Sequence, residues 1–351
     1  MMQALVLKNN KQLEYTKVPI PTCKADECLI KVKAAGICNS DFYRAFENGA
    51  YFYPLIMGHE FSGTVEKCGT NITKFSPGNK VAIFPLIPCG KCDYCIKKEW
   101  ILCTNYNYYG SRINGGFAEY VAVKEWNLIL LPDNFDLEAA ALCEPVAVAN
   151  HAFNYIKSSP QNKNIIVIGA GFIGLTLAKI IKKTFTDSKV WIMDRNQNKL
   201  EIAKKFNLET MLINQENISK IESYYNYFDT VIEACGAVQT FKLSAKLTAP
   251  KGQLLWLGNI QGNLELPKKE VSSILRKELT IQGIWNSVYQ PGEIDDWQQA
   301  INIIKNDSTI KELVSHFSSL QEAGSLLADI YQKKKNHQPH DYLKGLLQNE
   351  L

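Results

Sequence analysis

Two textures of apolar and polar positions divide the chain. Over residues 1–145 the apolar positions come in short runs, such as Val121–Val123 and Leu128–Leu131, broken by Gly, Pro and polar residues. That spacing predicts short strands joined by irregular loops, an all-β unit. From about Phe153 to Gly283, brief β-like runs at Asn164–Ile168, Val190–Met193, Thr230–Glu233 and Gln253–Leu257 alternate with longer amphipathic stretches. Strands alternating with helices predict βαβ units and a parallel sheet. After Trp285 the texture is mixed again, and we expect this tail to pack on the first unit. The expected division is 1–150 with 285–351 as one unit and 151–284 as the other. No internal repeat or low-complexity segment is present, and Lys333–Lys335 reads as a solvated helix end.

Composition narrows the setting. The 351 residues suit about two domains. Hydrophobic residues at 46% and charged residues at 21% are ordinary for a globular protein. Lys plus Arg total 39 and Asp plus Glu 35, a net charge of +4. That leaves no basic footprint for nucleic acid or a membrane surface. Met1–Tyr15 lacks the apolar core and cleavage site of a signal peptide. No apolar run reaches the roughly 20 residues of a membrane span. A reducing cytoplasmic home is expected, so the ten cysteines read as thiols or metal ligands rather than disulfides.

A glycine-rich turn carries the first chemistry. The strand pattern Asn164–Ile168 runs into Gly169-Ala-Gly171-Phe172-Ile173-Gly174 and then into helical spacing at Leu175–Lys182. Gly169 allows the tight turn, Gly171 lets a pyrophosphate approach the backbone, and Gly174 lets helix pack on strand. The phosphates then meet free N–H groups at the helix N-terminus. Asp194 follows a second β run at the distance from the turn where a carboxylate holds adenosine ribose hydroxyls and repels a 2′-phosphate. NAD is therefore the expected cofactor. Arg195 beside it keeps NADP as the competing reading, because Arg pairs with that phosphate.

Cys89-x2-Cys92-x2-Cys95-x7-Cys103 carries the second. Four thiolates at such spacing close a tetrahedron around a structural zinc, in a lobe at about 88–104. Disulfides and an iron–sulfur cluster are the competitors, the latter because the spacing resembles ferredoxins. A third set is dispersed: Cys38-Asn39-Ser40-Asp41, Gly58-His59-Glu60 and Glu144-Pro145. Cys38, His59 and Glu144 offer the S, N and O donors of a catalytic zinc with an open position. Spacing alone does not bring them together, and each residue has an ordinary structural reading; Glu144 before Pro145 also suits a helix start.

Taken in order, Gly58-His-Glu-Phe-Ser-Gly63, Pro77-Gly78, the four cysteines, Gly115-Gly-Phe-Ala-Glu-Tyr120, Glu144-Pro145 and the Gly169 turn resemble the zinc-containing medium-chain alcohol/polyol dehydrogenases over nearly the whole chain. Arg44–Ala50 with Tyr53-Pro54, and Gly110–Gly116, are most similar to the galactitol-phosphate branch of that family. The resemblance implies a GroES-like β-barrel catalytic domain and a Rossmann domain, an α/β and β architecture. It implies NAD, two zinc ions per chain, and a homodimer or homotetramer built through the Rossmann sheet.

It also implies roles. Cys38, His59 and Glu144 would bind the catalytic zinc, with Glu60 as an alternate ligand. Ser40 would begin a proton relay and Asp41 would orient a neighbour. Relatives end that relay on a His three residues after the Ser, where this chain has Tyr43, and Asn39 replaces a common Gly. Asn tolerates left-handed backbone angles, so the turn is expected to survive. A polyol phosphate needs cationic partners, and Arg44 and Arg112 flank the metal motifs. The alternatives are a sorbitol-, butanediol- or threonine-type dehydrogenase, or a non-catalytic NAD-binding protein on the same fold.

Overall fold

A computed structural model describes residues 1–156, 163–336, 338 and 340–349. The chain divides into two compact units, Met1–Ala147 with Val288–Leu351, and Val148–Ser287.

The first unit is built mainly on antiparallel strands, with one parallel pair between His316–Ser319 and Gly345–Gln348. Its larger sheet runs in the order Leu128–Leu130, Lys80–Ile83, Glu60–Cys68, Glu27–Ile37, Gly345–Gln348 and His316–Ser319, and Tyr120–Lys124 also pairs with Glu27–Ile37. In the central strand, buried Ile30 and Val32 alternate with half-buried Lys31 and Lys33, the period-2 pattern of a sheet with one covered face. A smaller sheet joins Gln12–Val18, Met2–Asn9 and Leu55–Ile56. Leu5, Ile30, Phe61, Val65, Ile83, Leu327 and Leu347 share one apolar core. Burying each such side chain stabilises by about 1.5–3 kcal/mol. The tail enters this core through Leu327 on the helix Leu320–Lys335 and through the strand Gly345–Gln348.

Strand register then assembles the site. Gly36 pairs with Glu60, so the strand leading into Cys38 lies against the strand that follows His59. Leu346 pairs with Gly36 from the other side, which delivers Lys344 to the same place. The left-handed φ of +89° at Gly58, open to glycine at no steric cost, turns the chain before His59. The loop Gly110–Gly116 lies on that turn: Gly115 N–H donates to Ile56 O at 2.8 Å and Gly116 N–H to Gly58 O at 2.8 Å.

The second unit is a parallel six-stranded sheet in the order Glu209–Leu212, Lys189–Asp194, Asn164–Ile168, Phe228–Glu233, Thr248–Trp256 and Thr280–Gly283. Numbered along the chain this is 3-2-1-4-5-6, the doubly wound dinucleotide-binding order. Its first strand is near-continuously buried, as the Ile-rich run predicts. Among the described residues no helix is long and apolar enough to cross a membrane.

Candidate active site and metal centres

Cys38 caps the helix Asn39–Phe46. Asp41, fully buried in the first turn, reaches back so that Cys38 N–H donates to its Oδ2 at 2.9 Å. Its other oxygen accepts from Arg44 Nη1 at 2.8 Å and lies 3.8 Å from His59 Nδ1. Asp41 therefore holds the helix start, Arg44 and the imidazole in one arrangement. Asn39 is the first residue of this helix and is not in the left-handed region, so its tolerance of that region is not used. Its side chain instead accepts from Lys334 Nζ at 2.6 Å. That contact corrects the solvated-end reading of Lys333–Lys335: Lys334 also lies over the rings of Phe42 and Tyr342, at 4.3 and 4.6 Å.

The ligand atoms of Cys38, His59 and Glu60 lie within 4.8 Å of one another. Glu60 was expected only as an alternate, and here it stands in the tightest set. Its carboxylate pairs with buried Lys344. Glu144 lies in the same electrostatic neighbourhood, and its Oε1 accepts from Tyr108 Oη at 3.3 Å. Burial, then the charge of Cys38 and Glu60 against the pull of His59, pushes its carboxyl up to about 8. Burial, with Glu60 and Asp41 nearby, pushes the Cys38 thiol up to about 11. A thiol, an imidazole and two carboxylates crowded below the surface make a donor set short of positive charge. A divalent cation offsets that deficit and holds the ligands deprotonated. Cys38, His59 and Glu60 fit a zinc ion by donor chemistry and by proximity, whereas Glu144, the expected third ligand, is not in the set whose ligand atoms lie within 4.8 Å of one another.

The four-cysteine lobe fits a second. Cys89, Cys92, Cys95 and Cys103 also bring their sulfurs within 4.8 Å of one another. The short helix Asp93–Ile96 carries Cys95, and the turn Trp100–Leu102 presents Cys103. Backbone N–H groups of Cys95 and Thr104 hold the Cys92 thiol down to about 6, and those of Lys91 and Cys92 lower Cys89. Amides aimed at sulfur favour the thiolate form at these two cysteines, while burial pushes the Cys95 thiol up to about 12.

In the second unit Gly169 adopts φ +110° directly after its strand and donates its N–H to Met193 O at 2.7 Å. A Cβ on Gly174 would collide with Gly169 O, whereas one on Gly171 would meet open space. Helix Phe172–Thr184 begins there, with Ile173 in its first turn. Asp194 Oδ2 accepts Ala170 N–H at 2.7 Å and Oδ1 accepts Asn196 N–H at 2.8 Å. Each carboxylate oxygen has a second lone pair for a ribose hydroxyl. Arg195 is exposed, while the amine of Lys199 sits in the field of Asp194.

The remaining expected residues are placed as follows. Ser40 is half-buried two residues after Cys38, and its hydroxyl opposes the rise of the Cys38 thiol; Tyr43 is 54% exposed on the same helix. Arg44 is engaged by Asp41 with its side chain 11% exposed. Arg112 lies between two rings, 4.2 Å from that of Tyr106 and 4.8 Å from that of Tyr51. Tyr106 contacts Tyr108, and Tyr108 contacts His59, so a run of rings leads from the imidazole to Arg112. Sequence reasoning missed Tyr108, Lys199 and Lys344. Tyr108, two residues before the Gly110–Gly116 loop already singled out, was the most accessible of the three.

Two family models match the chain in succession: the alcohol dehydrogenase GroES-like domain over residues 24–133 and the zinc-binding dehydrogenase domain over 171–306. Galactitol 1-phosphate 5-dehydrogenase of Escherichia coli K12 is 33% identical over 335 residues, 94% of this chain and 96% of its own. D-arabitol-phosphate dehydrogenase of Enterococcus avium is 32% identical over 321 residues, 89% of this chain and 88% of its own. The crystal structure of galactitol-1-phosphate dehydrogenase from Escherichia coli is similar at a TM-score of 0.87 and 32% identity, covering 99% of this chain and 100% of that one. With a third of its residues shared across almost its full length, this chain belongs to the zinc-containing medium-chain alcohol/polyol dehydrogenase family, as an NAD-dependent alcohol dehydrogenase.

Proposed function

We propose that the enzyme oxidises a secondary alcohol of a polyol phosphate, galactitol 1-phosphate to tagatose 6-phosphate or a close relative. The observation that carries this reading is Arg112, held between Tyr106 and Tyr51 at the end of the ring series that starts at His59. A guanidinium fixed in this way presents its remaining N–H groups to a phosphate with less rotamer freedom to lose. The phosphorylated substrates named for the two relatives support the same class. Arg44 was expected to share the phosphate. Its pairing with Asp41 argues instead that it supports the metal site.

In this reading Cys38, His59 and Glu144 would hold the catalytic zinc, with Glu60, paired with Lys344, as an alternate ligand. Bound there, the zinc would supply Lewis acidity for the alcohol oxygen and NAD would be the hydride acceptor. Ser40, beside Cys38, accepts the proton that leaves the alcohol, and Tyr43 on the next turn stands nearest solvent. Tyr108 holds Glu144 through its hydroxyl; burial and the Glu144 charge push that hydroxyl well above its ordinary pKa, so it stays a donor. Gly169, Gly171, Phe172, Ile173 and Gly174 cradle the pyrophosphate, and Asp194 selects NAD. We also propose a homodimer or homotetramer joined through the second unit, whose sheet ends on the strand Thr280–Gly283. Light scattering tests that assembly, and a single-chain mass would refute it. Arg112→Ala tests the substrate: KM for galactitol 1-phosphate should rise while sorbitol turnover is unchanged, and an equal loss on both would remove the phosphate reading.

A further inference from the structure

Of the five cysteines outside both metal clusters, Cys23, Cys28 and Cys68 lie at one end of the strand pair whose other end adjoins Cys38 and His59. Cys28 and Cys68 are register partners on the antiparallel strands Glu27–Ile37 and Glu60–Cys68. Directly opposed residues in such a ladder have Cα atoms about 4.5–5.5 Å apart, inside the roughly 4.4–6.8 Å range of a disulfide. Their sulfurs are 3.8 Å apart, and the Cys28 thiol donates to Cys68. The Cys68 thiol donates onward to Phe75 O at 3.5 Å. Cys28 is buried, and Cys68 and Cys23 are half-buried.

We propose that Cys28 and Cys68 form a reversible cross-strand disulfide, with a small disulfide of the glutathione type as the oxidant. Half-buried Cys68 is the point of entry, because it is the more accessible sulfur of the pair. Burial raises the Cys28 thiol to about 12, which makes it the second partner. In the first step the Cys68 sulfur attacks the small disulfide. A bond forms to Cys68, the original S–S bond breaks, and one glutathione leaves as a thiol. In the second step the Cys28 sulfur loses its proton and attacks Cys68, expelling the second glutathione thiol. Two cysteine thiols are oxidised by two electrons and one small disulfide is reduced to two thiols. The new bond ties the ladder at the end away from Cys38 and His59. It constrains the unfolded chain without moving the ligands. Neither step depends on which polyol the enzyme oxidises.

The test treats the zinc-loaded enzyme with oxidised glutathione and maps its peptides without reduction. The expected result is a Cys28 peptide linked to a Cys68 peptide, with zinc retained, kcat unchanged and a higher unfolding midpoint, all reversed by dithiothreitol. Cys28→Ser should stop at a mixed disulfide on Cys68. Exposed Cys235 serves as the reactivity control. If Cys235 is modified while Cys28 and Cys68 both stay free, or if Cys68 links to Cys23 instead, the pair is not the device proposed.

Discussion

Single residues divide the substrate problem cleanly. Arg112 and Arg44 look equivalent in sequence, both cations beside metal motifs. Arg112 is clamped by two aromatic rings, whereas Arg44 sits on Asp41 beside His59. A charge-assisted contact is worth roughly 1.5–3 kcal/mol, or about one to two decades in affinity. Arg112→Ala should therefore weaken galactitol 1-phosphate by about that factor and spare sorbitol. Arg44→Ala should lower kcat on both substrates and loosen catalytic zinc, measured by competition with a chelator; an effect confined to the phosphorylated substrate would return Arg44 to the phosphate. Asp194→Ala has two consequences. It removes the carboxylate that meets a 2′-phosphate with like charge, so the NAD preference in steady-state kinetics should narrow. It also leaves two backbone N–H groups, of Ala170 and Asn196, without their acceptor. The gain with NADP should thus be smaller than the loss with NAD, and equal efficiency with both cofactors in the unmodified enzyme would refute the selection role.

At the scale of elements, legibility followed sequence separation. The four-cysteine lobe and the glycine turn were readable because each closes within a short stretch whose spacing alone states the geometry. The catalytic set was not, because Cys38, His59 and Lys344 meet through the register of three strands far apart in sequence. Nothing local to Lys344 announces a buried partner for Glu60, and only strand order puts it there. Asn39 was misjudged because the turn that needs left-handed angles is at Gly58, while Asn39 simply begins a helix. The two metal elements should also fail differently. Cys38→Ala should abolish activity in a chain that still folds, since the strand ladder does not depend on the ion. Cys92→Ala should lower the yield of folded protein and its unfolding midpoint, because a structural zinc contributes folding free energy directly. Equal damage to folding from both substitutions would contradict the division into catalytic and structural centres.

For the whole molecule, the alternation of textures disclosed a β unit and a doubly wound unit, and the tail Val288–Leu351 joins the first. The two candidate clusters lead to two zinc ions per chain. Elemental analysis of freshly prepared enzyme should find both, and a chelator should take the catalytic ion first, because that site keeps an open coordination position. The central claim is that this zinc and NAD chemistry is directed at a phosphorylated polyol. It is tested most directly by comparing kcat/KM for galactitol 1-phosphate with that for unphosphorylated galactitol and sorbitol, with NAD, in the unmodified enzyme. The account predicts that galactitol 1-phosphate is preferred by at least about one to two decades, the value of one charge-assisted phosphate contact. Equal or better turnover of sorbitol or galactitol would contradict it.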